Sequence, residues 1–177
     1  MANNNWIIKK EINIKNFDTI INNSIIEKDD LTLKSTRGVL SEQYDLFDNR
    51  EKLNIIVEEI KNELKKINKD FDYNLVAAWT VIGKENSYHE VHRHNNGNVN
   101  HVATVLYLNV PERNMHQSGD FYYFIKDSFN NISCEIISPK KGTLIIMPID
   151  LLHGSYPQSK GKRQTLNLDF EMVKKDG

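Results

Sequence analysis

The sequence predicts a mainly β chain with flanking helices, its strands closing into a sandwich or roll. Three observations carry this. Only Gly38 precedes Gly83, whereas all 4 prolines and the remaining glycines follow it, which places the turn-rich part in the second half. After Asp70 the chain breaks into short runs of β-branched and aromatic residues separated by turn formers, the texture of several strands at regular spacing. Before Asp70 there is one segment with clear helical periodicity.

In chain order, Trp6 to Ile14 alternates loosely and is expected to be a strand, exposed enough at an edge to pair with a second copy of the chain. Asp18 can cap a short helix through Ile26. Asp30 to Phe47 reads as irregular. Asn49 to Asn68 is the clearest helix: Leu53, Ile56, Val57, Ile60, Leu64 and Ile67 recur at spacings of three and four and form one apolar stripe. Lys61, Glu63, Lys65 and Lys66 fall on its solvated face. Strands are expected at Leu75–Ile82, His101–Val110, Phe121–Ile125, Ser133–Ile137, Thr143–Met147 and Gln164–Met172. The 177 residues suffice for one domain. Residues 1–70 would pack a strand and helices on a β core of residues 71–173.

Composition narrows the partners. A net charge of −1 with both signs abundant argues against duplex nucleic acid or an anionic membrane as a bulk electrostatic partner. No apolar run approaches the roughly 20 residues of a membrane span, and the first residues do not read as a signal peptide. Cys134 is the 1 cysteine, so no internal disulfide forms; a cytoplasmic location and a buried, inert thiol are expected. Phosphate loops, dinucleotide fingerprints, nucleophile elbows and paired-cysteine motifs are absent.

The chemistry is concentrated in histidines. Five of the 6 lie between His89 and His116. His92-Arg93-His94 is an alternating pair, and residues two apart share a strand face. Two imidazoles on one face can hold one metal ion through neutral ring nitrogens. The second half adds a tight turn at Gly142, an apolar strand ending at Pro148, and a loop presenting His153. Ten residues on, Arg163 and Thr165 share a strand face, a guanidinium and a hydroxyl suited to clamping a carboxylate. Glu90 shares the parity of His92 and is a candidate alternative ligand or supporting group; Asp120 is the other spare carboxylate. His89 is a further candidate. His101 faces either the cavity or the strand edge. His116 lies in a polar loop. Tyr107 is expected to face inward.

Together these residues resemble the iron(II)- and 2-oxoglutarate-dependent oxygenase superfamily. Its pattern is a His-x-Asp/Glu pair, a distant histidine, and an arginine about ten residues later, often as Arg-x-Ser/Thr. Here His92-Arg93-His94, His153 and Arg163-Gln164-Thr165 match it. Tyr107-Leu108-Asn109, Ser118-Gly119-Asp120-Phe121 and the Pro139–Gly142 turn look like further family features. The chain is similar to small, mostly uncharacterised oxygenases of marine bacteria and their phages, several with a His-x-His in this place.

The resemblance implies a double-stranded β-helix, the jelly-roll, cupin-like architecture, from about Trp79 to Phe170. It implies Fe(II) held by His92, His94 and His153. It implies 2-oxoglutarate as cosubstrate, its far carboxylate on Arg163 with Thr165 and Tyr107. Oxidative decarboxylation to succinate would then drive hydroxylation of a small-molecule or peptide substrate whose rim is formed by Asp30–Phe47 and Val110–Ser118. The chain departs from the pattern at His94, which stands where the family has a carboxylate. Three-histidine cupins bind iron without 2-oxoglutarate, so a dioxygenase of that kind, with Arg163 clamping the substrate's own carboxylate, is the alternative. Zn(II) also suits three histidines, and a third reading is a non-enzymatic metal- or ligand-binding module.

Overall fold

The computed structural model describes residues 6–12, 33–36, 41–94, 100–113 and 116–175. The expected short helix from Asp18 to Ile26 lies outside them. Eleven strands are present among the described residues: β1 (Ile8–Glu11), β2 (Leu33–Thr36), β3 (Ser41–Asp45), β4 (Phe71–Gly83), β5 (His89–His92), β6 (His101–Asn109), β7 (Phe121–Lys126), β8 (Ile132–Ile137), β9 (Thr143–Pro148), β10 (His153–Ser155) and β11 (Arg163–Lys174). A 3-10 helix spans Phe47–Leu53 and the helix α1 spans Asn54–Ile67.

The apolar stripe of α1 is where the sequence puts it: Leu53, Ile56, Val57, Ile60 and Leu64 are buried. Ile67, in the last turn, is instead 38% exposed. The helical pattern begins later than expected. Asp45 Oδ1 accepts a hydrogen bond from Phe47 N at 2.8 Å and starts the tighter 3-10 turn that delivers the chain into α1. The segment read as irregular holds β2 and β3, a hairpin added to the edge of β4.

The strands form two antiparallel sheets, ordered β1-β9-β6-β11-β4-β3-β2 and β5-β10-β7-β8. From β4 to β11 the chain visits the larger sheet with β4, β6, β9 and β11, and the smaller with β5, β7, β8 and β10. That wrapping makes a double-stranded β-helix, a jelly roll.

Two cores follow from strand alternation. Val102, Leu106, Leu108, Leu144, Ile146, Leu166, Leu168 and Phe170 point outward and meet α1. Ala103, Val105, Tyr107, Ile145 and Met147 point inward and meet Phe121 of the smaller sheet. Both faces of the larger sheet are therefore covered, which is why β6 and β9 read as unbroken apolar runs.

Cys134 is exposed, contrary to expectation. It lies opposite Phe124 on β8, the edge strand of the smaller sheet, and the outer face of that edge is uncovered.

Candidate active site

The inner face of β11 is polar where its outer face is apolar. Arg163, Thr165, Asn167 and Asp169 alternate with Gln164, Leu166, Leu168 and Phe170, and all eight are buried. The neighbouring strands complete a stack of layers. Thr165 lies between Val81 and Tyr107, Asn167 between Trp79 and Val105, and Asp169 between Ala77 and Ala103. The two alanines leave room beside Asp169. A bulge in β4, at the step between Asp169 and Phe170, adds local twist there.

At the Asp169 end three imidazoles converge. His92 on β5 pairs directly with His153 on β10, and their rings lie 4.3 Å apart. His94 falls beyond β5, so strand parity does not place it. Its backbone N–H donates to Ile149 O at 3.0 Å and its ring packs edge-on against Trp79 at 4.9 Å. One ring nitrogen from each of His92, His94 and His153 lies within 4.8 Å of the others.

The tautomers are fixed by acceptors. His92 Nδ1 meets Glu90 O at 2.9 Å, His153 Nδ1 meets Leu151 O at 2.8 Å, and His94 Nδ1 meets Asp169 Oδ1 at 2.9 Å. A carbonyl or carboxylate oxygen only accepts, so each Nδ1 carries the proton and each Nε2 presents a lone pair. Burial, reinforced by His94 and His92, holds His153 well below the usual histidine range and therefore neutral. A donor set of three neutral imidazole nitrogens fits a divalent transition metal.

His89 joins this group for a reason that alternation hides. β10 advances two residues from His153 to Ser155 while β5 runs three, from His92 back to His89. The extra residue is a bulge, and it turns both histidines into the cavity. Their rings stack at 4.3 Å. Glu90 has an exposed side chain and contributes its carbonyl, not a ligand oxygen. His101 is buried but does not line the cavity, and His116 is exposed.

The cavity runs between the sheets from the histidines to Arg163, bounded by Trp79, Val81, Val105, Tyr107, Phe121 and Asn167. Arg163 is 3% exposed. Its Nη1 donates one long hydrogen bond, 3.4 Å, to Gly119 O, and no carboxylate among the described residues pairs with it. Burial pushes this guanidinium down from its ordinary range while the neighbouring Tyr107 pushes it up. Burial also raises the Tyr107 phenol to about 12, so Tyr107 is a hydrogen-bond donor at neutral pH. Thr165 Oγ1 accepts from Asn167 Nδ2 at 3.1 Å.

A buried guanidinium that no described acid neutralises, with a phenol and a hydroxyl beside it, is a receptor for an anion. Asp120 does not compete for Arg163: it pairs with Arg113 at 2.7 Å and accepts from Ser138 Oγ at 2.9 Å.

Arg113 also donates to Pro139 O at 2.8 Å. These contacts hold the described part of the Val110–Ser118 connection at the Arg163 end of the roll, away from the histidines.

No known family's sequence profile matches the chain, and no curated protein matches it by sequence. Solved structures do match. The fold is that of the 2-oxoglutarate–iron(II) oxygenases. A viral collagen prolyl hydroxylase of Paramecium bursaria Chlorella virus-1, solved with 2-oxoglutarate, is 20% identical with a TM-score of 0.64, covering 95% of this chain and 97% of that one. An oxidoreductase of the 2-oxoglutarate–Fe(II) oxygenase family from Burkholderia pseudomallei is 11% identical, with a TM-score of 0.70 over 93% of this chain and 84% of that one. HygX from Streptomyces hygroscopicus, solved with nickel, 2-oxoglutarate and hygromycin B bound, is 11% identical, with a TM-score of 0.67 over 95% of this chain and 83% of that one. The double-stranded β-helix expected from the sequence is thus the fold the chain has.

Of the residues singled out in the sequence, His92, His153, Tyr107, Arg163 and Thr165 line one cavity, and His94 joins the two histidines at its end. Sequence reasoning missed Asn167 and Asp169. The parity that joins Arg163 to Thr165, carried two steps further, names both.

Proposed function

We propose that this chain is a non-haem iron(II)- and 2-oxoglutarate-dependent oxygenase that hydroxylates a small molecule or a peptide side chain. The observation that carries the reading is a cavity that runs from the convergent ring nitrogens of His92, His94 and His153 to Arg163, which no described carboxylate pairs with. A metal and a dicarboxylate anion together suit those two ends.

In this reading His92, His94 and His153 hold iron(II) through Nε2. Iron, when bound, supplies the activation of oxygen that couples 2-oxoglutarate decarboxylation to substrate hydroxylation. The guanidinium of Arg163 forks onto the far carboxylate of the oxo acid, with Tyr107 and Thr165 as further donors. Val81, Val105 and Phe121 wall the cavity with apolar surface and exclude water, which strengthens each of these polar contacts.

No described helix is long and apolar enough to cross a membrane. We propose a cytoplasmic location, which the exposed, unbridged Cys134 supports. A homodimer joined through the β1 edge is a further proposal.

The test is anaerobic titration of the Fe(II)-loaded protein with 2-oxoglutarate, read by the visible charge-transfer band of the chelate. A band that is lost in His92→Ala, and succinate formed under oxygen, support the reading. Iron binding with no band, and oxygen uptake independent of 2-oxoglutarate, would replace it with a three-histidine dioxygenase.

A further inference from the structure

The ligand set lacks a carboxylate, yet the site does not lack a carboxylate's charge. Asp169 is 5% exposed and sits on the inner face of β11 between Ala77 and Ala103. Its Oδ1 accepts the Nδ1–H of His94 at 2.9 Å. The side chains of both partners are almost wholly buried, so solvent screens the pair little.

Resting on the metal site proposed above, we infer that Asp169 is a positioning residue standing in, one bond further out, for the missing ligand carboxylate. Three neutral imidazoles and one carboxylate carry the same net charge as two imidazoles and a ligating carboxylate. The carboxylate fixes the tautomer and the ring plane of His94, which lies beyond the end of β5 and has no strand to orient it. It also makes His94 Nε2 a stronger donor to the metal. The other two ligands need no such help: His92 and His153 are paired across two strands and meet backbone carbonyls. The charge balance that a facial triad builds into its ligands is here moved to the second layer.

The inference predicts that Asp169 acts on the metal through the His94 ring, read with Co(II) alone by absorption titration. In the wild-type background Asp169→Asn weakens Co(II) binding about ten- to a hundredfold. In a His94→Asp background the ligand carries its own charge and no Nδ1–H remains for Asp169 to accept, so Asp169→Asn weakens Co(II) binding much less. A merely structural role for Asp169 gives losses of the same size in both backgrounds and would overturn the inference, as would unchanged Co(II) affinity in Asp169→Asn. Wild-type protein that binds no Co(II) would instead remove the metal site, and the inference with it.

Discussion

Replacing Arg163 by methionine should separate function from stability. The substitution keeps an unbranched chain of similar reach and removes the guanidinium. Hydrogen bonds to a charged group contribute about 1.5–3 kcal/mol each. Losing a two-pronged contact to an oxo acid carboxylate therefore costs about 3–6 kcal/mol of affinity, two to four orders of magnitude in Kd at roughly 1.4 kcal/mol per tenfold. The fold should not suffer equally. Arg163 is buried, its one hydrogen bond among the described residues is the 3.4 Å contact to Gly119 O, and no described acid is orphaned by its removal. Replacing even a buried ion pair by apolar volume is often neutral or stabilising by about 1–4 kcal/mol, and a buried charge with no described acid beside it lacks the pair's compensation. At about 2–4 °C per kcal/mol for a chain of this size, the melting temperature of the apoprotein should rise by several degrees. Calorimetry of the apoprotein and anaerobic titration of the Fe(II) form measure the two effects. A lowered melting temperature would show that the guanidinium stabilises the fold. An unchanged 2-oxoglutarate affinity would remove Arg163 from the carboxylate end of the cavity.

Two further outcomes follow from the same geometry. The folded Tyr107 titrates at about 12, above its ordinary value of roughly 10. The unfolded chain loses this proton first, so stability falls as pH rises from 10 to 12, by up to about 2–3 kcal/mol from this group. Urea midpoints should decline over that window in the wild type and decline less in Tyr107→Phe; parallel curves would refute the assignment. At Gly154 an added Cβ would lie 2.6 Å from Tyr122 Oη and 2.8 Å from His89 O. Gly154→Ala should therefore wedge β10 from β5 and β7 on either side of His153. It should cost about 1–3 kcal/mol of stability and weaken Co(II) binding. Retained metal affinity would show that the β5–β10 pairing does not set the histidine geometry.

What the sequence determined by itself is the set of elements with strong local periodicity. The α1 stripe, the apolar strands β6 and β9, and the Arg163–Thr165 pair are written in spacings of three and four or of two, because each side chain's direction depends only on its neighbours along the chain. His92 and His153 were legible for the same reason, one on a strand and one at the end of a turn.

Tertiary structure decided the rest. β2 and β3 carry little apolar alternation; β3 becomes a strand by pairing with the edge of β4, and β2 by pairing with β3. His94 lies past its strand, and only the contacts to Ile149 O, Trp79 and Asp169 bring it to the other two histidines. A bulge, which is a property of pairing between two chains of backbone, brings His89 to the same face as His92. Asp169 lies 75 residues from the histidine it supports. Sequence spacing sets which way a side chain points, whereas charge compensation depends on distance in space, and that distance exists only once the two sheets have closed on one another.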